Sequence, residues 1–203
     1  MEIREIQASE KDVIGEVVNI HLDTFTGFFL TFLGRGFLNQ MYRSYCEHSA
    51  SGLLVAFEKE KPVGFLAYSE NMSGLYKFMI KKRLIPFAWY SLGAFFRKPK
   101  VFMRLIRAFL KPSESAREED YVELASIGVS PEFKSRGIGG ALIDELKARV
   151  DFQKFTYISL ETDADNNEGA NKFYQKNQFT LVRSYKTHEG RSMNEYHYRG
   201  ELE

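Results

Sequence analysis

A short segment that runs from a strand pattern into a helix pattern constrains the fold of this chain most. Residues 121–129 form a strand pattern that ends before a turn at Pro131, and residues 138–150 have apolar positions about one helical turn apart. The bend between them, residues 134–140, is rich in glycine. Because the first N–H groups of a helix lack partners and the helix dipole is positive there, this bend is predicted to bind an anion.

The glycines of this bend have a specific use at an anion site. Gly137 and Gly139 have no side chains that would keep a pyrophosphate away from the backbone N–H groups, and Lys134 and Arg136 add mobile positive charge. Two other phosphate-binding motifs are excluded. Leu142 stands where a dinucleotide-binding fingerprint needs glycine or alanine, and no Gly-Lys-Ser/Thr sequence occurs anywhere in the chain.

The remaining patterns place this segment in an α+β domain. Their order predicts a mixed, mostly antiparallel central sheet flanked by helices, with residues 1–203 forming a single domain. The other predicted elements are a helix N-capped by Ser9 that reaches about Phe25, a helix at residues 33–48, a hairpin at residues 53–57 and 63–68, a strand at residues 155–162, a helix at residues 168–176, and a last hairpin at residues 179–186 and 192–199.

A basic helical insert, about residues 71–119, interrupts this order. Ten of the 28 Lys and Arg residues lie within residues 71–112, which contain no Asp or Glu, so the rest of the chain has 18 cations against 27 anions, a net charge of −9. Charge segregated in this way predicts an anionic partner for the insert. Breaks are predicted at Pro86, Pro99 and Pro112, followed by a polar linker at residues 113–120.

Two partners fit the insert, an anionic membrane surface and a second copy of the chain. Residues 84–96 are apolar but too few to span a bilayer. Residues 101–111 have a helix pattern with three cations on one face, which suits an interface with anionic lipid, and Trp89 and Tyr90 suit headgroup depth. A homodimer through the insert is the alternative. Nucleic acid is not expected as a partner, because the bulk of the chain is acidic and would repel it.

The cysteine count and the targeting patterns bear on the compartment. The single cysteine, Cys46, excludes an intrachain disulfide and a multi-cysteine zinc site, and no metal is expected. The first residues lack the basic-then-apolar pattern of a secretory signal, and no charge-free apolar run reaches the roughly 20 residues of a transmembrane helix. We therefore expect a cytoplasmic protein, peripheral at the inner membrane face if the insert binds lipid.

The glycine-rich segment and a second motif together resemble the GNAT N-acetyltransferase superfamily. The acyl-CoA signature of that family is (Gln/Arg)-x-x-Gly-x-(Gly/Ala) after a strand that ends in Val-x-Pro. It is similar to Lys134-Ser-Arg-Gly137-Ile-Gly139 after Val129-Ser-Pro131. The stretch from Asn167 to Phe179 is similar to the family's Asn-x-x-Ala-x-x-Phe-Tyr-x-Lys-x-Gly-Phe. The resemblance covers residues 123–199 well and the first hairpin loosely, and the insert falls outside it.

Two positions depart from the family pattern. Lys134 stands for the usual Gln or Arg, which keeps a positive charge but loses planar, forked hydrogen bonding. Gln178 stands for the usual glycine after the second helix, and Asn177 is expected to adopt the left-handed cap conformation in its place.

The resemblance implies an acyl-CoA-dependent N-acetyltransferase with acetyl-CoA as co-substrate, in which an amine attacks the thioester directly. It further implies that residues 127–129 pair with the pantetheine arm, that the Val129 N–H polarises the thioester carbonyl, and that the amides of residues 135–140 hold the pyrophosphate. Tyr174 stands at the position of the family's general acid. The implied cofactor-binding residues are Ile127, Gly128, Val129, Lys134, Ser135, Arg136, Gly137, Ile138, Gly139, Gly140, Asn167 and Phe173.

The catalytic base stays open at the level of sequence. Some members of the family carry a glutamate base six residues before the position of Val129, which is Glu123 here; a solvated carboxylate at the end of a strand is the alternative. Strict alternation would place Glu123, Ala125, Ile127 and Val129 on one face of the strand, and a bulge would change that parity.

Four other residues each have more than one interpretation. Tyr174 is a general acid or a core aromatic, and Asn167 binds the pantetheine arm, caps its helix, or does both. Glu161, near the end of the next strand, and His21, on the first helix, are weaker candidates for the base. Deprotonation of the amine through water is a further route.

The sequence therefore predicts transfer of an acetyl group from acetyl-CoA to the primary amine of a small molecule. An amino sugar and a membrane-associated precursor are the acceptors considered first, and a peptide amine is considered after them. The alternative is a non-catalytic module with the same fold that binds CoA or a membrane surface. Release of CoA on incubation with amines separates the two.

Overall fold

Six α-helices and a seven-stranded sheet are formed by the residues that the computed structural model describes, 1–26, 29–97, 120–187 and 190–200. The helices are α1 (Lys11–Thr24), α2 (Phe29–Leu33), α3 (Arg35–Glu47), α4 (Met72–Arg97), α5 (Ile138–Arg149) and α6 (Glu168–Lys176). The strands are β1 (Glu2–Glu5), β2 (Ser51–Glu58), β3 (Lys61–Ser69), β4 (Tyr121–Val129), β5 (Tyr157–Asp163), β6 (Thr180–Lys186) and β7 (Ser192–Tyr198).

The strands lie in the order β1-β2-β3-β4-β5-β7-β6. Every neighbouring pair is antiparallel except β4 and β5, which are parallel. A parallel pair needs a crossover connection, and α5 supplies it here. The predicted mixed, mostly antiparallel sheet and both predicted hairpins are confirmed.

Helices cover both faces of the sheet, and each face has its own apolar core. On the α1 face, α1, α3 and the first part of α4 pack against Leu53 and Val55 of β2. On the α5 face, α5 and α6 pack over Leu54 and Ala56 of the same strand. Because successive strand residues point to opposite faces, β2 and β3 are apolar almost throughout and buried on both sides.

The first 50 residues differ from the sequence prediction at three places. α1 begins at Lys11 rather than after Ser9, and the residue at its N-cap makes no side-chain capping bond. The helix predicted at residues 33–48 is α3, which begins at Arg35 because Gly34 before it has a φ of +89° that helical backbone cannot adopt. The short helix α2 before Gly34 was not predicted. Strand β1 was not predicted, since its four residues, three of them charged, show no apolar run.

The insert begins with a kinked helix. The backbone of α4 leaves helical geometry at Arg83 (φ −135°, ψ 17°), three residues before Pro86. A proline ring crowds the carbonyl of the residue four positions earlier and offers it no N–H, so the break predicted at Pro86 appears one turn before it. None of the described helices is long and apolar enough to cross a membrane. The breaks predicted at Pro99 and Pro112, the helix at residues 101–111 and nearly all of the linker lie outside the described residues.

Candidate active site

Strands β4 and β5 separate from each other partway along the sheet. Their pairing ends with Glu123 opposite Ser159, although β4 continues to Val129 and β5 to Asp163. The other edge of β4 stays paired with β3 to its end. No described strand pairs with the β5-facing edge of residues 124–129, so backbone N–H and C=O groups border an open fork.

The fork contains the residues predicted to contact the pantetheine arm. Ile127, Gly128 and Val129 lie on its open edge. An extended ligand that carries amide groups can add to such an edge as a further strand does. The edge has the backbone that this contact needs; the contact itself stays a prediction.

A β-bulge divides β4 into two parts. Ala67 of β3 pairs with Ser126 and Tyr68 pairs with Leu124, so Ala125 is an additional residue with no opposite on β3. An additional residue in one strand reverses the facing of every residue beyond it. Before the bulge, the even-numbered residues of β4 face the α5 side of the sheet. After it, the odd-numbered residues face that side.

The bulge places Glu123 on the opposite face from the end of the strand. Leu124 before the bulge and Ile127 after it both pack on the α5 face. Glu123 shares the α1 face with Gly128, where an added Cβ would lie 2.8 Å from the Phe65 ring. Strict alternation, which would put Glu123 on the face of Ile127, is therefore wrong, and the bulge is the reason.

Two carboxylates lie near the fork on the α1 face. Glu123 adds to the raised pKa values of Tyr45 and Tyr76, for both of which burial is the larger cause. Glu161 of β5 also raises the pKa of Tyr76, so carboxylates from both strands approach one phenol. Glu161 is exposed and accepts a hydrogen bond from the hydroxyl of Tyr185.

Helix α5 begins with backbone N–H groups that have no acceptor. Gly137 occupies the N-cap in a left-handed conformation (φ 78°, ψ 0°), and no side chain caps the first turn. Ala141 donates to the carbonyl of Gly137, while the amides of Ile138, Gly139 and Gly140 have no acceptor among the described residues. Three such donors at the positive end of a 12-residue helix can receive an anion, and that the pyrophosphate binds there stays a prediction.

Positively charged side chains border this helix start. Lys134 and Arg136 are both exposed. The Arg136 guanidinium lies over the ring of Phe133, and its Nη1 is 3.5 Å from Oε2 of Glu58. Because an exposed ion pair at that separation is weak, this pair leaves the guanidinium able to turn to a phosphate.

Gly137 and Gly139 are glycine for different physical reasons. A side chain at Gly137 would meet open space, so the positive φ is what requires glycine there. A Cβ at Gly139 would lie 3.0 Å from Cζ of Phe173 and 3.8 Å from Cγ2 of Val129. Access for a pyrophosphate fits Gly137, whereas Gly139 lets α6 and the end of β4 approach the start of α5.

The side chain of Asn167 ties the start of α6 to the end of β5. Its Nδ2 donates to Oγ1 of Thr162 at 2.7 Å and to the carbonyl of Asp163 at 3.2 Å. Asn167 occupies the N-cap position, but its side chain makes no capping bond to the helix. The prediction that the Asn167 side chain caps α6 is therefore wrong, because its amide group is hydrogen-bonded to β5 instead.

Sequence reasoning assigned no role to Asn171, which fixes α6 to two strands. Its Nδ2 donates to the carbonyls of Asp163 and Asn167, and its Oδ1 accepts from Nδ2 of Asn194 and the hydroxyl of Tyr196. These bonds set the height of α6 above β5 and β7. The sequence signal was weak, since one polar residue on a short helix does not identify partners 23 and 25 residues away.

Tyr174 lies on α6 with its ring in the core of the α5 face. The ring centroids of Phe173, Phe179 and Tyr196 are 5.3, 6.1 and 6.0 Å from its own. Its hydroxyl makes no hydrogen bond to any described residue, and burial raises its pKa to about 12. Tyr174 is thus a core aromatic that also keeps a proton at neutral pH, as a general acid must.

The end of α6 differs from the prediction. Asn177 was expected to adopt the left-handed conformation, but its φ is −90°, and Gln178 has the positive φ, +66°. The Nδ2 of Asn177 donates back to the carbonyl of Phe173, which keeps Asn177 in the last turn and moves the reversal one residue on.

His21 is buried in the α1-face core and is 3% exposed. Its Nδ1 is 2.7 Å from the hydroxyl of Tyr42, which is 3.4 Å from Oγ of Ser126 on β4. Burial lowers the pKa of His21 to about 4. His21 is therefore a neutral imidazole packed in the core at neutral pH. Sequence reasoning missed Tyr42 and Ser126, since residues 84 positions apart give no local pattern.

Comparison with sequence families gives one match. The sequence model of the acetyltransferase (GNAT) family matches residues 16–179, which include the glycine-rich segment and α6. A search of curated protein sequences returns no match.

Solved structures give the same fold. An acetyltransferase described as of the GNAT family, from Desulfovibrio desulfuricans, has 17% identity and a TM-score of 0.63, with 98% of each chain covered. Ribosomal-protein-alanine N-acetyltransferase from Brucella melitensis has 14% identity and a TM-score of 0.62, covering 98% of this chain and 99% of that one. Arabidopsis thaliana NAA60, in complex with acetyl-CoA, has 16% identity and a TM-score of 0.59, with 99% of each chain covered. At such identities the likeness establishes the fold and leaves the acceptor open.

Proposed function

This chain belongs to the GNAT acetyltransferase family, and from that we propose that it transfers the acetyl group of acetyl-CoA to the primary amine of a small molecule. The observation that carries the proposal is the fork between β4 and β5, whose open β4 edge leads to the uncapped start of α5. An extended arm with a pyrophosphate at one end matches that combination of a strand edge and an anion site.

The donor would be held along β4 and at the start of α5. The backbone of residues 127–129 would pair with the amide groups of the pantetheine arm, and the amides of residues 138–140 would receive the pyrophosphate. Lys134 and Arg136 would neutralise its charge. Acetyl-CoA supplies an acetyl group already activated as a thioester.

Glu123 would act as the general base and Tyr174 as the general acid. Glu123 lies where the fork opens and would take a proton from the acceptor's ammonium group before attack. Tyr174, whose pKa of about 12 keeps it protonated, would give its proton to the departing sulfur. The two residues belong to opposite faces of the sheet, and the fork is where groups from both faces can reach one reacting centre.

The acceptor is proposed to be a small cationic amine, with amino sugars first. Glu123 and Glu161 approach the fork from two strands on the same face, and carboxylates at a site entrance attract an ammonium group. A membrane-associated precursor that carries an amino sugar fits the same chemistry.

Turnover against a panel of amines tests this proposal. The purified chain would be incubated with acetyl-CoA and, separately, with amino sugars, polyamines and short peptides, and free CoA thiol would be measured. We expect amine-dependent CoA release that is fastest with an amino sugar. Release with peptide N-termini alone would overturn the small-molecule acceptor. Binding of acetyl-CoA without release for any amine would instead favour a non-catalytic CoA-binding module.

A further inference from the structure

Helix α4 has large apolar side chains on two sides, and the described residues of the domain cover only one of them. We call the exposed side the outer face of α4. It consists of Lys77, Ile80, Lys81, Lys82, Leu84, Ile85 and Trp89. A helix that is apolar all round is normally buried all round, so the outer face needs an explanation of its own.

The inner side of α4 is fully occupied by packing within the domain. Met79 is buried in the α1-face core, and Phe87 packs on Phe37 of α3 with ring centroids 4.6 Å apart. Arg83 donates to the side chains of Gln40 and Glu47 of α3, which anchors the helix at its kink. These contacts fix which side of α4 faces outward.

The outer face presents large apolar side chains to solvent. Ile85 is 81% exposed, Trp89 71% and Leu84 59%. Single exposed apolar residues are common on soluble proteins, but a contiguous group on one helix marks a surface that contacts something else. A partner at the outer face would remove these side chains from water.

Lysines on the same face indicate the chemistry of that partner. Lys77, Lys81 and Lys82 are exposed beside the apolar group, and the sequence has no Asp or Glu from residue 71 to residue 112. Cations adjoining large apolar side chains, with a tryptophan among them, fit the boundary between anionic headgroups and acyl chains. We propose that the outer face of α4 docks on an anionic lipid surface, with the helix lying in the plane of the headgroups.

A second copy of the chain fits this face less well. In a two-fold symmetric dimer the same patch contacts itself, so the lysines of both copies would be brought together with no carboxylate on the patch to offset them. An anionic lipid surface supplies that negative charge and a solvent for Ile85 and Trp89 at once.

The inner side of the same helix reaches the candidate active site. Tyr76 of α4 is close enough to Glu123 and Glu161 for both carboxylates to raise its pKa, after burial. Docking through the outer face would hold the α1-face side of the fork at a defined height above the lipid. This consequence rests on the proposed function, whereas the docking itself does not.

Fluorescence of Trp89 tests the docking directly, since it is the only tryptophan in the chain. Phosphatidylcholine vesicles containing phosphatidylglycerol, and vesicles of phosphatidylcholine alone, would be titrated into the protein at low salt. We expect a blue shift of Trp89 emission and protection from an aqueous quencher with the anionic vesicles only, reversed at high salt.

Matched variants distinguish docking through the outer face from non-specific adsorption to the vesicles. Leu84→Ser/Ile85→Ser removes apolar surface from the outer face, and Leu181→Ser/Val182→Ser removes exposed apolar surface from β6. Lys81→Gln/Lys82→Gln should weaken vesicle binding by about 30-fold. Lys59→Gln/Lys186→Gln, which removes two exposed lysines elsewhere, should leave it nearly unchanged. Co-sedimentation with the vesicles measures all four.

Two outcomes would overturn the proposal. Trp89 emission that is insensitive to anionic vesicles would show that no lipid covers the outer face. A blue shift that depends on protein concentration in the absence of lipid, with a dimer in light scattering, would assign the face to a second copy. Neither outcome bears on CoA release, so the docking and the proposed reaction can fail separately.

Discussion

At the scale of single residues, Tyr174 combines a tightly packed ring with an unbonded hydroxyl. Its ring is packed among three other aromatic rings, while its hydroxyl has no hydrogen-bond partner among the described residues. The hydroxyl is not among the fully buried side-chain atoms that lack a partner, so solvent reaches it. An accessible hydroxyl that is not already hydrogen-bonded can donate to a ligand.

Tyr174→Phe should therefore change the reaction and not the fold. The ring keeps its packing and no bond to a described residue is lost, so the free energy of unfolding should be nearly unchanged. Loss of a general acid should lower kcat by about 100-fold or more, with KM for acetyl-CoA little affected. Steady-state kinetics and thermal unfolding of the same preparation measure both quantities. A control, Tyr68→Phe, removes a phenol of the same core whose hydroxyl donates to Oε1 of Glu5 on β1, and should keep kcat. Equal kcat values for the two variants would exclude Tyr174 as the acid.

At the scale of the elements, the reversal after α6 carries a cost in free energy. Gln178 has a φ of +66°, a conformation that disfavours residues with a Cβ by about 1 kcal/mol or more. Its Oε1 accepts a hydrogen bond from Nζ of Lys147 at 3.2 Å, but the pair is exposed, and Lys147 also donates to the carbonyl of Asn177. Glycine would suit the position better.

Gln178→Gly is expected to stabilise the protein by about 1 kcal/mol, which is a rise in Tm of about 2–4 °C for a chain of this size. Gln178→Ala loses the same contact with Lys147 but keeps the unfavourable φ, so it should give no such gain. Calorimetry of both variants gives the comparison. A Tm for Gln178→Gly no higher than that for Gln178→Ala would mean that the left-handed conformation is not strained here.

The secondary-structure elements also show which features could be predicted from sequence patterns and which could not. The strand, bend and helix at residues 121–149 were predicted nearly to the residue, because one short stretch contains the alternation, the turn proline and the glycines. The bulge at Ala125 could not be predicted from that stretch, because it depends on how β3 pairs with β4. That pairing decides which face Glu123 occupies.

The same limit explains the other differences. Gly34 separates the unpredicted short helix α2 from α3 through a single positive φ, which apolar periodicity does not register. Asn171 and Ser126 act through partners 23 to 84 residues away in sequence, which only the folded chain brings together. Motifs confined to one turn could be predicted, whereas contacts that cross the sheet could not.

At the scale of the whole molecule, stability should depend on pH through His21. In the unfolded chain its pKa is about 6.5, while burial between Tyr42, Phe25 and Phe65 lowers it to about 4 in the folded protein. Between these values the unfolded state binds a proton that the folded state does not, so acidification favours unfolding. The contribution to stability is full above pH 6.5 and is lost as the pH falls to 4.

This difference in pKa contributes about 3 kcal/mol to the free energy of unfolding at neutral pH, since each pKa unit corresponds to about 1.4 kcal/mol. Urea unfolding of the wild type and of His21→Gln between pH 7 and pH 4 measures it. Carboxylates titrate in both proteins. The difference between the two plots of unfolding free energy against pH therefore gives the contribution of the His21 imidazole. The gap in stability between wild type and variant should narrow or reverse as the pH falls. Parallel curves would show that His21 titrates normally in the folded state.

The fork, the uncapped helix and the family match converge on one claim about the molecule, that acetyl-CoA binds along β4 and at the start of α5. Gly137 is the most direct position at which to test it, because its added side chain meets open space and its φ is +78°. Gly190 offers a matched control, with a φ of +82° and open space in the turn between β6 and β7.

The measurement is acetyl-CoA binding by isothermal titration calorimetry to the wild type, Gly137→Glu and Gly190→Glu. Both substitutions add one carboxylate and similar backbone strain, but only the first puts the charge beside the amides of α5. We predict binding to the wild type and to Gly190→Glu, and about 100-fold weaker binding or none to folded Gly137→Glu. Equal affinities for the two variants, or no binding by the wild type, would contradict the placement of the donor at this helix.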